Sequence, residues 1–143
     1  MPMPELSLIY PMLALVLLTF AVAVVMFRAR VRSVREGRTP IGYFGLFQGA
    51  HEPEFVVKPT RHFSNLFEAP TLFYAGCLAA MVAGVTGRLM VGLAWAYVAA
   101  RLVHAAIHLG GNRIRYRATS YFIGWVFLLA LWICLGVAVA SRH

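Results

Sequence analysis

The chain has 143 residues, 61% of them hydrophobic and 13% charged, with 13 Lys and Arg against 5 acids for a net charge of +8. That balance excludes a soluble one-domain globule, which would lack the polar groups to cover its surface, and a disordered chain, which needs the opposite composition; it places the chain in a bilayer. Nucleic-acid binding is excluded on the same ground, because no soluble fold is available to gather the basic residues into a patch.

A helix crossing about 30 Å of hydrocarbon needs about 20 residues. Residues 6–27 carry no Asp, Glu, Lys or Arg. The segment resembles a leader peptide, with Ala21-Val22-Ala23 as a small-residue site, but the stretch before it contains Glu5 and no base, and its length exceeds an h-region. It is therefore expected to remain as a span. Residues 31–60 mix Gly37, Pro40, Gly42, Gly45, Gly49, Pro53 and Pro59 with Tyr43, Phe44, Phe47 and Phe55, which predicts a broken, aromatic-rich connection that packs on something. Further uncharged runs cover 69–87 and 118–141, and residues 90–109 are equally apolar apart from Arg101, His104 and His108. The reading is a single-domain, all-α, four-helix membrane bundle with spans at about 6–27, 67–87, 89–109 and 118–141, and no room for a separate soluble domain.

Ten basic residues fall in the two connections on one side, Arg28, Arg30, Arg32, Arg35, Arg38, Lys58 and Arg61 in the first and Arg113, Arg115 and Arg117 in the second; only Arg88 and Arg142 fall on the other. This asymmetry puts both connections in the cytoplasm and both termini outside. Most of the Arg run 28–38 needs no further role than this. The richness in Arg and Ala is that of a GC-rich bacterial genome, so a bacterial inner membrane is the expected location. Cys77 and Cys134 both lie inside spans, as small apolar residues rather than as a disulfide or a metal-thiolate pair.

Ionisable groups in or beside a span are costly, and each is a functional candidate. Arg61, Asn65 and Glu68 are the first group: at 100° per residue, Asn65 and Glu68 lie at about +40° and −20° from Arg61, so the three share one helix face, with Ser64 beside them. Glu68 is the only acid near a span and is suited either to a structural pair with an Arg or to a ligand's ammonium. The second group, Tyr97, Arg101, His104 and His108, stays within about 60° on the third span. His104 and His108 stand at i,i+4, a metal or haem spacing, but no third ligand is apparent, so no metal is expected and hydrogen bonding or ligand contact is the reading. Arg101 is too deep to reach the interface and is expected to pair with Glu68 or another buried acceptor. The third group, Arg113, Arg117 and Tyr121, runs at i, i+4, i+8 into the last span; an Arg beside a Tyr hydroxyl holds an anion and favours a thiolate over a thiol. Arg115 points elsewhere. The three groups together suit a zwitterionic, net-anionic small molecule at the cytoplasmic side.

The runs Arg61-His62-Phe63-Ser64-Asn65-Leu66-Phe67-Glu68-Ala69-Pro70, Ala100-Arg101-Leu102-Val103-His104, His108-Leu109-Gly110 and Arg113 to Tyr121 resemble the MAPEG family, the membrane-associated proteins in eicosanoid and glutathione metabolism, which includes microsomal glutathione transferases and prostaglandin E synthase. The resemblance covers about residues 58–125. It implies a homotrimer that binds glutathione at subunit interfaces near the cytoplasm, with a hydrophobic small molecule or lipid as second substrate. Carried over by position, Asn65 and Glu68 hold the glutathione backbone and amino group, Arg61 and Arg113 lie near its carboxylates, Arg117 stabilises the thiolate, Tyr121 stacks or hydrogen-bonds beside it, and Arg32 adds a contact from the end of the first helix. Two positions depart from the pattern: Ser64 stands where well-studied members carry a second Arg, and His108 where a Tyr is usual. The competing readings are a protein of the same fold that binds lipid or a partner without catalysis, and a small drug–proton antiporter, which would need a carboxylate that residues 6–27 lack.

Overall fold

The computed structural model describes residues 6–142, so Glu5 and the two chain ends lie outside the described residues. The described residues form α1 (Ile9–Arg35), α2 (Tyr43–Leu46), α3 (Glu54–Asn65), α4 (Ala69–Val82), α5 (Arg88–Leu109) and α6 (Ile114–Ala140), with no strand among them. Four segments are long and apolar enough to cross a membrane: α1, α3 with α4 as Glu54–Val82, α5 and α6. The protein is an all-α, multi-pass membrane bundle.

Helix lengths differ from those read off the sequence, for physical reasons. At 1.5 Å per residue the 27 residues of α1 reach roughly 40 Å, longer than the hydrocarbon core, so the helix continues past residue 27 and carries Arg28, Arg30, Arg32 and Arg35 on its overhang. It stops at Gly37, whose φ of +67° supplies the left-handed residue that closes a helix end, with Gly37 N–H bonded to Val34 O at 3.0 Å and Arg38 N–H to Ser33 O at 3.0 Å. The connection that follows is partly helical. In α2 and the residue after it, Tyr43, Phe44 and Phe47 pack edge to face, and the Arg30 guanidinium lies 5.3 Å from the Phe44 ring.

The second span is interrupted. Pro70 has no N–H to give the Leu66 carbonyl, so the helical ladder breaks over 66–68, and Glu68 takes a non-helical φ of −90° and ψ of −99°. With only 14 residues, α4 reaches about 21 Å, too short to span alone, and α3 completes the crossing. At its far end α4 stops at Val82, and the left-handed Gly84 (φ +63°) turns the chain, so residues 83–87 are a turn rather than the last part of a span. Arg142, two residues past the end of α6, caps this turn, donating to the carbonyls of Ala83 and of Gly84, the latter at 3.2 Å.

The core lies between the helices on Leu15, Phe73, Cys77, Met90, Ala94, Tyr97, Leu128 and Leu131, with Tyr97 and Phe73 stacked at 4.6 Å and 19°. The inner face of α5 continues from this core into the polar residues Arg101, His104 and His108, all buried. Outward, Leu13, Leu17, Phe20 and Val24 of α1 and Phe122, Val126, Leu129, Ile133 and Val137 of α6 form exposed apolar stripes at helical spacing, as lipid-facing or subunit-facing helices require. Cys77 and Cys134 are both free.

Gly76 marks the close approach of α4 to α6: a Cβ there would stand 2.8 Å from Leu131 Cδ2 and 3.3 Å from the Trp132 ring. We therefore expect Gly76→Val to overpack the core at a cost of about 1–3 kcal/mol, read as a lower thermal midpoint in detergent. Gly92→Ala, where nothing lies within 4 Å of the added carbon, should leave the midpoint unchanged or raise it.

Candidate functional site

The break between α3 and α4 decides the geometry of the site. In an unbroken helix the Asn65 carbonyl would be fully used by Ala69 N–H; here it receives a long 3.4 Å bond from Glu68 N–H and stays open to a side chain. Arg101 takes it. Its Nη2 donates to Asn65 O at 3.2 Å and to Asn65 Oδ1 at 3.3 Å, while its guanidinium carbon lies 5.5 Å from the Tyr121 ring centre. At 1% exposure Arg101 has no ion pair among the described residues, so these contacts, and not Glu68, are the acceptors it finds. With Oδ1 so engaged, the other end of the same amide donates from Nδ2 to Glu68 Oε2 at 3.3 Å. One residue thus gives a buried cation two acceptors, on Nη2, while Arg101 Nε stays buried without a partner, and the same residue positions an exposed carboxylate.

A pocket of about 290 Å³ opens beside this chain of contacts. Arg61, Asn65, His104, His108, Arg117 and Tyr121 line it, with Ala118 and Phe122 completing the wall on α6. Six of the nine site residues expected from sequence therefore meet on one cavity. Glu68 stands next to the pocket through Asn65. The Arg117 guanidinium, half-buried, is held by Asn112, whose Oδ1 accepts from Nη1 at 2.8 Å. Asn112 itself occupies the left-handed region (φ +47°) that Asn tolerates better than other non-glycine residues, and its N–H closes α5 on Ile107 O at 2.9 Å. Tyr121 packs its ring 5.6 Å from that of His104.

Arg32 and Arg113 are elsewhere within the chain. Arg32, in the last turn of α1, bonds Glu36 at 2.7 Å and lies 5.0 Å from the Phe55 ring, beside a separate pocket shared with Phe27, Arg28 and Arg35. The Arg32 hydrogen bond, followed by the nearby charges of Arg32 and Arg38, holds the Glu36 carboxyl below its usual pKa. Arg113 precedes α6 in an extended conformation (ψ 113°), so the helical register that would align it with Arg117 and Tyr121 does not reach it; it borders a different cleft with Ile107, Asn112 and Tyr116.

The sequence left His104 and His108 without a third ring. The structure supplies His62, from the buried face of α3. Ring centres lie 5.5 Å apart for His62–His104, 5.0 Å for His62–His108 and 5.5 Å for His104–His108, and His62 Nδ1 is 3.2 Å from His108 Nδ1. His104 Nδ1 donates to Arg117 O at 3.1 Å and lies 3.2 Å from Ser120 Oγ, which ties the third span to the start of the last. A buried polar atom left without a partner costs about 1–3 kcal/mol, and His62 Nε2 and His104 Nε2 are two such atoms. His62, Asn112 and Ser120 were not singled out from the sequence. The one available signal for His62 was its i,i+3 spacing to Asn65.

The model of the MAPEG family matches residues 8–137 of the chain. No curated protein and no solved structure matches it significantly.

The double role of Asn65 generates a stability test. Asn65→Ala removes the amide contact from a buried guanidinium and is expected to cost about 1–3 kcal/mol, seen as a lower thermal midpoint in detergent. Adding Arg101→Met, which removes the stranded charge, should recover most of that loss; a double variant as unstable as the sum of both singles would show that the pair is not coupled.

Proposed function

Because the chain belongs to the MAPEG family, the membrane proteins of eicosanoid and glutathione metabolism, we propose that it is a glutathione-dependent transferase or peroxidase-like enzyme acting on hydrophobic electrophiles. The observation that supports this most directly is the pocket itself, where Arg61, His104, His108, Arg117 and Tyr121 gather around Asn65, with Glu68 hydrogen-bonded to it from outside the wall. Glutathione carries two carboxylates, an ammonium and a thiol. The Glu68 carboxylate, exposed and held only by Asn65 among the described contacts, suits the ammonium; Arg61 suits a carboxylate. Arg117 is left for the sulfur.

The chemistry follows from charge. A free thiol titrates near ~8.5, and an opposite charge within hydrogen-bonding distance favours its ionised form. Arg117, fixed by Asn112, would hold the thiolate with no reorganisation at the moment of reaction, and Tyr121 would close the other side. In conjugation, the thiolate forms a C–S bond with the electrophilic carbon, the leaving group departs with the bonding electrons, and the thiol proton has gone to solvent. The second substrate arrives from the lipid: Phe122, exposed at the mouth, continues the pocket wall into the apolar outer stripe of α6.

Arg32 and Arg113 belong to the same proposal through assembly. In a homotrimer the exposed stripes of α1 and α6 would become subunit contacts, the overhanging end of α1 would bring Arg32 to a neighbour's site, and Arg113, on its own cleft within the chain, would meet a substrate carboxylate across the subunit boundary. The positive-inside asymmetry supports a cytoplasmic site with both termini on the opposite face of the membrane, and the Arg and Ala bias of the sequence favours a bacterial inner membrane.

A second reading, lipid or partner binding without turnover, draws support from Ser64 and His108 standing where an Arg and a Tyr are usual in the family. One assay separates the two. With glutathione and a chlorodinitroarene, wild-type protein should conjugate, Arg117→Ala should fall by about 100-fold and Glu68→Gln should weaken glutathione binding by about tenfold. Equal rates in wild type and Arg117→Ala would remove Arg117 from its role, and thermal stabilisation by glutathione with no conjugation in wild type would establish the binding reading instead.

A further inference from the structure

The histidine cluster under the pocket does more than glutathione recognition requires. His62, His104 and His108 come from two helices, are at most 5% exposed, and offer one ring nitrogen each within 4.8 Å of one another. For a tetrahedral ion with metal–nitrogen bonds of about 2.0–2.1 Å, imidazole ring centres fall about 5.2 Å apart and the ligating nitrogens about 3.3 Å apart. The observed centres at 5.5, 5.0 and 5.5 Å are close to that triangle, and the His62 Nδ1–His108 Nδ1 separation of 3.2 Å is close to the ligand spacing.

Hydrogen bonding alone leaves this cluster incomplete. The His62–His108 contact joins two Nδ1 atoms, and His62 Nε2 and His104 Nε2 are buried with no partner. His104 is the clearest case. Its Nδ1 carries the proton that the Arg117 carbonyl accepts, so its Nε2 presents a lone pair to the interior; a ligating histidine is oriented in the same way, by a hydrogen bond from its other nitrogen to a carbonyl.

We propose that His62, His104 and His108 form a binding site for a Zn²⁺-class transition-metal ion, with an open fourth position toward the pocket that His104 and His108 line. Three imidazoles and no carboxylate suit zinc, copper or nickel rather than calcium or magnesium, and the pocket provides the entry path. Arg61 and Arg117 on the same wall add positive charge, which favours an anionic fourth ligand over a neutral one. A thiolate is the anion the pocket suits; that last assignment rests on the glutathione reading, whereas the three-histidine site does not.

Cobalt is the probe that reports geometry. Tag-free protein in detergent, titrated with Co²⁺, should bind one ion per chain with the intense visible bands of tetrahedral cobalt, displaced by Zn²⁺; His62→Ala, His104→Ala and His108→Ala should each abolish them. No saturable cobalt binding by wild type, or bands retained in all three variants, overturns the site. X-ray absorption of zinc-loaded wild type, expected to show scattering from three imidazoles, decides the question without any variant if alanine at these positions prevents folding. Adding glutathione to the cobalt protein should bring up a sulfur-to-metal charge-transfer band; its absence with cobalt still bound removes thiolate as the fourth ligand. Thermal stabilisation of metal-free protein by glutathione tests the glutathione reading separately.

Discussion

A guanidinium buried to 1% exposure in a membrane-spanning helix is the constraint around which the rest of this structure is arranged. Such a charge persists only where protein groups replace the water it has lost. Here the replacement is an interrupted helix. Pro70 breaks the second span, the break leaves the Asn65 carbonyl open, and Arg101 bonds both that carbonyl and the Asn65 side chain. Once Oδ1 faces Arg101, Nδ2 can only face the other way, toward Glu68. A single proline therefore propagates, through one arginine and one amide, to the placement of the carboxylate nearest the pocket.

Charge is distributed on two scales. The overhanging end of α1 carries Arg28, Arg30, Arg32 and Arg35 beyond the hydrocarbon, where topology and headgroup attraction account for them. The start of α6 is different, since Arg115 and Arg117 occupy the positive end of a helix dipole, a location that disfavours cations by a few tenths of a kcal/mol each and favours anions. Arg117 offsets this through Asn112, which fixes its guanidinium at the pocket wall. A bound anion there would meet both the side chain and the helix end, so the local cost of placing Arg at this end is recovered when the pocket is filled.

Much of this was legible in the sequence because the bilayer imposes a period and a length. The charge-free runs located the spans, and the shared face of Tyr97, Arg101, His104 and His108 follows from helical spacing alone, as does the meeting of Arg117 with Tyr121. What escaped was set by backbone events that spacing does not encode. The length of α1 depends on where Gly37 stops it, and Arg61, Asn65 and Glu68 share a face in an ideal helix even though theirs is broken; Asn65 and Glu68 still meet, by a hydrogen bond across the break instead of along a helix face. Arg113 is the N-cap of α6, with extended ψ and its carbonyl bonded by Arg117 N–H, and its side chain borders another cleft. Arg101's partner was named only as a class, since the choice between Glu68 and Asn65 depends on that same break. His62 escaped for another reason: it lies 42 positions before His104, and only the docking of α3 against α5 brings them together.

The two halves of the site are joined at His104. Its Nδ1 bonds the carbonyl of Arg117, the residue proposed to face the sulfur, and its Nε2 is buried without a partner. A change on either nitrogen is felt on the other, because the imidazole turns as one rigid plane. Moving the ring toward an ion under the pocket would pull on the first turn of α6, and movement of that turn when an anion binds Arg117 would re-aim Nε2. Ser120, which donates to the same Arg117 carbonyl at 3.0 Å and lies 3.2 Å from Nδ1, limits how far the ring can turn. The wall of the pocket and the cluster beneath it are therefore joined by hydrogen bonds, His104 holding the backbone of Arg117 while Asn112 holds its guanidinium.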